Sequence, residues 1–408
     1  MDDRNAQVGW TEAQWNRVRE EVLQAWQRVR VAGSFLPIYG PLPPSTQVVP
    51  SEVLKDDGSV DDRATAALIE IDLPVTLSRQ QIWEEDLSSA LLQFRRRATQ
   101  LGQFEDWFIF NGTYPSSEPS SNADAQAAFE QAEKAGHPGY RPELAHLDPS
   151  QGARISGTPT PIAGVTQDLQ LEGMSRRNPG ALGLIEAPMV VLEKKATRAR
   201  QEAEQATAEA QQAPKDQQAT QRAARAEQRA AQAEQIVTQA STKNHLNNTG
   251  LIQAIVDAIN SLENNGYVAP YVCVFGRNPF QAAFTPIDNS TVLPRDRIEP
   301  LIGRELLHAS GIDILPYRFD LYNLNTGEWP SRGVLLSLAN EPIDLALAAE
   351  ATPEFRQVDL EGRYVFSVFE RFALRIKDAK AIAPLMFETP DEAKERVAKE
   401  HAAEKSGS

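Results

Sequence analysis

The chain has 408 residues, 41% of them hydrophobic, with 41 basic against 56 acidic side chains and a formal net charge of -15. That length holds two or three domains with a real core. The acidic balance repels nucleic acid on average, and a single cysteine, Cys273, excludes a disulfide framework within the chain.

No run of about 18 apolar residues occurs, and Met1–Trp10 lacks the basic and apolar parts of a signal peptide, so the chain is expected to be soluble and cytoplasmic. HExxH, GxSxG, paired CxxC and phosphate-cradling glycine motifs are all missing. The five histidines, at 137, 146, 245, 308 and 401, are scattered without metal-ligand spacing. The chain is therefore read as no enzyme, with no catalytic residue, metal ligand or cofactor assigned.

In chain order, residues 10 to 30 read as an amphipathic helix with Thr11 and Gln14 as its capping box and Trp15, Val18, Val22, Trp26 and Val29 on one stripe. Such a stripe demands burial, either on its own chain or as a docking surface. The proline-rich run Phe35–Pro44 is expected to be extended. Residues 46 to 80 alternate short apolar and polar runs around Lys55–Ser59 and read as an extended β-hairpin, marginal unless a partner buries it. Trp83 to Gly112 reads as one long helix with Leu87, Leu91, Phe94, Ala98, Leu101 and Phe108 on one face and a stop at Asn111-Gly112.

Residues 113 to 178 are rich in Pro, Ser, Gly and Ala and read as a low-order insertion. Between 192 and 240 two alanine seams keep the same heptad rhythm, Leu192 through Ala213 and Ala219 through Ala240, on either side of Pro214-Lys215-Asp216. They specify an antiparallel helical hairpin, with a solvated helix, a disordered tract or an intersubunit coiled coil as alternatives. A helix capped by Thr249 and stopped at Asn264-Asn265-Gly266 follows, then a buried strand from Tyr267 to Phe275. Strands are expected at Val334–Ser337, Ile343–Leu347, Tyr364–Ala373 and Leu374–Ile376, and Glu388–Ser408 as a charged tail.

Several of these segments resemble encapsulin shell proteins: the closing run Phe104–Gly112 of the long helix, the tryptophan-bearing first helix followed by Gly40-Pro41, Gly180–Glu186, the helix-glycine-strand series from Leu251 to Phe275, and the terminal strand residues Phe366, Phe369, Phe372, Ala379 and Ile382. The resemblance covers roughly residues 10 to 112, 180 to 190 and 247 to 385 in the family's order. It implies an α+β tailed-bacteriophage capsid fold. Its parts are an N-terminal helix and arm (1–45), an extended loop (46–80), a backbone helix of the peripheral domain (81–112), a return to the shell fold (180–190), a mainly apical region (247–345), and C-terminal strands (346–387) before the tail (388–408). The insertions at 113–179 and 191–243 fall outside that pattern.

The resemblance also implies a closed homo-oligomer of about 60 copies, or a larger icosahedral number, around a cargo enzyme such as a peroxidase or ferritin-like protein that carries a short targeting peptide. On the family pattern, Trp15, Val18, Val22 and Trp26 would line the cargo-peptide surface and Asp288, Asn289 and Ser290 a pore loop. No membrane partner is expected, and nucleic acid is disfavoured by the charge. Two other readings share parts of the pattern: a genome-packaging capsid protein of a prophage or virus, and a coiled-coil adaptor built on residues 192 to 240.

Overall fold

The computed structural model describes residues 5–54, 59–61, 64–112, 154–156, 183–212, 217–286, 291–312 and 331–406. The low-order insertion expected at 113–179 lies almost wholly outside them.

Helix α1 (Glu12–Val29) opens with the expected capping box, Gln14 N donating to Thr11 Oγ1 and Thr11 N to Gln14 Oε1. Strand β1 (Ile38–Tyr39) is followed by four short strands, β2 (Val48–Pro50), β3 (Val53–Leu54), β4 (Val60–Asp61) and β5 (Thr65–Ala67), which pair β2 with β5 and β3 with β4 as one antiparallel arm. The arm is shorter than the 46–80 span expected. Residues Ile69–Leu77 leave it as β6, whose strict alternation of Ile69, Ile71, Leu73, Val75 and Leu77 toward the interior gives it a face to bury in a larger sheet.

Helix α2 (Arg79–Ile82) is one turn long, and α3 runs Ser88–Asn111, starting five residues later than the apolar pattern predicts. The break has a local cause. Glu84 accepts hydrogen bonds from Ser89 N and Oγ, Asp86 accepts one from Ser88 N, and Leu87 takes a left-handed φ of 53°, so the two carboxylates cap the helix instead of riding on it.

After β7 (Arg154–Ser156) come α4 (Gly183–Gln212), α5 (Gln217–Ser241), α6 (Asn248–Asn264), β8 (Tyr271–Phe275), α7 (Arg277–Ala283), α8 (Pro294–Ile302), β9 (Leu307–His308), β10 (Ser331–Ser337), β11 (Ile343–Val358), β12 (Tyr364–Ile376), β13 (Ile382–Phe387) and α9 (Pro390–Ser406). Asn247, not Thr249, caps α6: its Oδ1 accepts from Gly250 N at 2.6 Å. The content is α+β, as the sequence implied.

The chain divides into two compact units. The first, residues 1–183, 307–330 and 338–378, is built on a five-stranded sheet in the order β1-β11-β12-β6-β7. Helices α1 and α3 pack on each other at close range: a side-chain carbon at Gly102 would lie 2.7 Å from Val29 Cγ2 and 3.0 Å from the Trp26 carbonyl. An aromatic cluster joins them to the sheet, with Trp10 stacked on Phe366 at 5.2 Å and Phe94 and Phe355 set edge-on to Phe366 at 5.4 and 5.3 Å.

At the end of α3, Asn111 Nδ2 donates to the Gly311 carbonyl at 2.7 Å. Gly183, at φ +71°, sits so close to this end that a side-chain carbon there would meet Gly112 N at 2.3 Å, so the chain leaves at 112 and returns at 183 to the same spot.

The second unit, residues 184–306, 331–337 and 379–408, centres on strands β13, β10 and β8, paired antiparallel in that order. Leu251, Ile255 and Leu262 of α6 and Ile298 and Ile302 of α8 cover Cys273, Phe275, Leu335 and Phe387. Cys273 is wholly buried, which pushes its thiol far above the usual range, so it is an inert packing residue.

Candidate assembly surfaces

The stripe expected to receive cargo, Trp15, Val18, Val22 and Trp26, has no exposed surface at all. Trp15 stands edge-on to Trp10 at 5.0 Å, within the aromatic cluster formed with α3 and β12. The expectation that these four residues form a peptide-binding surface is therefore corrected: all four are the subunit's own core. Two tryptophans and two valines bury too much apolar surface to wait for a transient partner.

Beneath this core lies a group of charges. Asp106 accepts hydrogen bonds from Val31 N and Ala32 N at 2.8 Å each and fixes the turn after α1. Arg30 Nη2 donates to Glu105 Oε1 at 2.6 Å while its guanidinium lies 3.9 Å from the Trp26 ring. Glu370, on β12, is fully buried with neither carboxyl oxygen hydrogen-bonded. Burial pushes Glu105 up to about 8, Arg30 opposing and Asp106 adding to the rise. It pushes Asp106 up to about 7 against the two backbone donors. Glu370 is raised well above the carboxylate range by burial, and further by the charge of Glu105.

The arm is rooted by a second buried pair. Arg375 grips Asp344 with both ends of its guanidinium, at 2.6 Å each, and reaches the Pro50 carbonyl at 2.9 Å. It also stacks on Tyr39 at 3.6 Å, and Lys377 meets Asp344 at 2.8 Å. Val49, Ala66 and Leu68 of the arm base pack on Ala346, Ala348 and Ala373, while Val48 beside them and Leu54 and Val60 on β3 and β4 have exposed side chains. The arm is anchored on its own chain by Arg375 and by Leu54 N donating to the Lys377 carbonyl at 2.8 Å, and β2, β3 and β4 still present apolar side chains to solvent.

Helices α4 and α5 form the expected antiparallel hairpin. Ala196, Ala203, Ala223 and Ala230 are buried along its seam, and the ion pair Arg200–Glu234 and the hydrogen bond Thr207 to Glu227 fall in one antiparallel register. The segment expected as a pore loop, Asp288-Asn289-Ser290, lies outside the described residues. Just before and after it, Phe280 and Phe284 pack at 4.7 Å and Arg295 lies over Phe284 at 4.6 Å. Among the described residues no group of three or more His, Cys, Asp or Glu side chains is placed to hold a metal ion, and no helix is long and apolar enough to cross a membrane.

The sequence reading missed Arg30, Glu370, Arg375, Asp344 and Lys377. For Asp344 and Arg375 the available signal was a lone charge inside an apolar strand run, Ile343-Asp344-Leu345 or Leu374-Arg375-Ile376, which has to be paired when the strand is buried; Glu370, followed by Arg371, lacks it.

An arm with exposed apolar side chains, a sheet carrying two packed helices and a second unit with its own core make up the described chain. Residues 163–315 match the Linocin_M18 family, described as encapsulating protein for peroxidase. No match was found among the curated proteins. Among solved structures, the chain is similar to a virus-like particle from Pyrococcus furiosus at 9% identity, covering 92% of this chain and 100% of that one with a TM-score of 0.45. It is similar to the capsid of a native GTA particle at 12% identity, covering 87% and 89% with a TM-score of 0.43. A third similarity is to the capsid of Myoviridae phage XM1, at 10% identity, covering 86% and 90% with a TM-score of 0.34.

Proposed function

We propose that the chain is the subunit of a self-assembling, icosahedral cytoplasmic compartment that encloses a cargo enzyme recruited through a short targeting peptide, and that it catalyses nothing itself. The observation that carries this reading is the match of residues 163–315 to a family described as encapsulating protein for peroxidase. A peroxidase is accordingly the first cargo class to test, and a ferritin-like protein the second. The exposed Val48, Leu54 and Val60 support closure by neighbouring copies, because short two-stranded pairs with exposed apolar side chains gain stability when covered. In such a shell the Asp288–Ser290 loop would border a pore, with Asp288 favouring cations.

The test is negative-stain electron microscopy of the purified chain, with absorbance at 260 and 280 nm taken on the same sample. Uniform closed particles with a protein-like ratio are expected. Particles filled with nucleic acid would turn the reading to a genome-packaging capsid, against which the net charge of -15 argues. Absence of particles would defeat both and leave the coiled-coil adaptor.

A further inference from the structure

We propose that Arg30, Glu105, Asp106 and Glu370 form a proton-operated latch, which holds the end of α1 against α3 and β12 while Glu370 carries a proton and loosens when that proton is lost. The geometry sets three buried carboxyls against one guanidinium. Arg30 is committed to Glu105 at 2.6 Å, and Asp106 is committed to the Val31 and Ala32 amides at 2.8 Å each. Glu370 is left without a hydrogen-bonded oxygen and without exposed surface. An ionised carboxylate in that position has no exposed surface, shares the one guanidinium of Arg30 with two other carboxyls and has only the neutral Trp26 indole beside it as a donor, whereas the protonated acid is far less costly.

The elements packed around Glu370 supply no second cation among the described residues. From α1 come Arg30 and the indole of Trp26; from α3, Glu105 and Asp106. Strand β6 places Ile71 opposite Glu370, and β11 keeps its nearest charge, Glu350, at the surface. On β12 itself the next residue, Arg371, pairs with Glu70 at 3.2 Å. The turn Ser310–Ile312 that packs on α3 brings no charge.

The direction of the pH effect follows. The folded chain keeps protons that the unfolded chain releases above the ordinary carboxylate value of 4.5, and burial raises Glu105 to about 8 and Glu370 in the same direction. The latch therefore contributes fully in acid and loses its contribution as pH climbs from about 4.5 toward 8 and beyond. The same shell subunit would be tight in a mildly acidic medium and looser in an alkaline one.

The experiment is guanidinium unfolding of the full-length chain on either side of that range, read by the fluorescence of the core tryptophans. For each retained proton the folding equilibrium constant of the native chain is expected to fall roughly tenfold per pH unit across the window. Glu370→Gln, which keeps the shape and cannot ionise, should make that slope shallower by the one proton it removes and outlast the native chain in alkali, while Glu350→Gln on the surface should leave it unchanged. Parallel slopes for the native chain and Glu370→Gln would overturn the proposal. Should Glu370→Gln fail to fold, infrared spectra of the native chain decide: a protonated-carboxyl band at neutral pH that vanishes in alkali is expected, and its absence at neutral pH overturns the latch. Subunit unfolding is the readout throughout, so failure here leaves the shell reading standing.

Discussion

Trp26 has no exposed surface, carries Arg30 over its ring at 3.9 Å and sets the close approach of α1 to α3 through its carbonyl near Gly102. Trp26→Ala is accordingly expected to destabilise the subunit by about 3–5 kcal/mol in a denaturant titration. A docking residue would instead give an equally stable chain that fails to retain cargo. Arg375→Ala should cost a similar amount, about 3–5 kcal/mol, because it strands Asp344 in a buried site with only Lys377 beside it. Replacing Arg375 and Asp344 together by Met and Leu should cost less than Arg375→Ala alone, which a thermal melt of the three variants would show. At this scale the apolar stripe of α1 was legible and its partner was not. A 3.6-residue rhythm says that a face is buried, and only tertiary packing says against what. The lone charges in β11 and β12 escaped because an isolated polar residue in a strand looks like an outward-facing one until both faces are known to be covered.

Among elements, the ones with strong local chemistry were the most readable. The Thr11–Gln14 capping box, the Gly112 stop and the alanine heptads all reappear where their spacing put them. The start of α3 was misplaced because Glu84 and Asp86 suit a helix interior by propensity, yet here they bond amides that begin one. The extent of the arm was misjudged for a different reason: β6 alternates like an arm strand, and its inclusion in the main sheet depends on β12, three hundred residues away in sequence. The hairpin of α4 and α5 buries little beyond alanine along its seam, so its contribution to the rest of the chain should be small. Replacing residues 192–240 with a short flexible linker is expected to leave particle size in electron micrographs unchanged and the main melting transition nearly so. Loss of particles would instead make the hairpin part of an intersubunit contact.

For the molecule as a whole, folding and assembly should be separable at the arm. Its base is held by Arg375 and packed on β11 and β12, whereas Leu54 and Val60 face outward. Converting Leu54 and Val60 together to Asp is expected to leave circular dichroism and unfolding unchanged within about 0.5 kcal/mol. Size-exclusion chromatography should then find small species in place of closed particles. If particles persist, the arm is not what joins the copies.

The meeting of Gly112 and Gly183 has a practical side. Because the chain departs and re-enters at a single doorway, pinned by Asn111 on the Gly311 carbonyl, what lies between has its two ends as neighbours, and beyond that, among the described residues, only β7 is tied to the main sheet, on the edge of β6. Lengthening such a closed loop is inexpensive, about 0.6 kcal/mol for each doubling. The doorway is thus a socket: an unrelated folded domain with adjacent termini, inserted next to Gly112 or Gly183 with β7 kept, should ride on the chain without the carrier having to be redesigned.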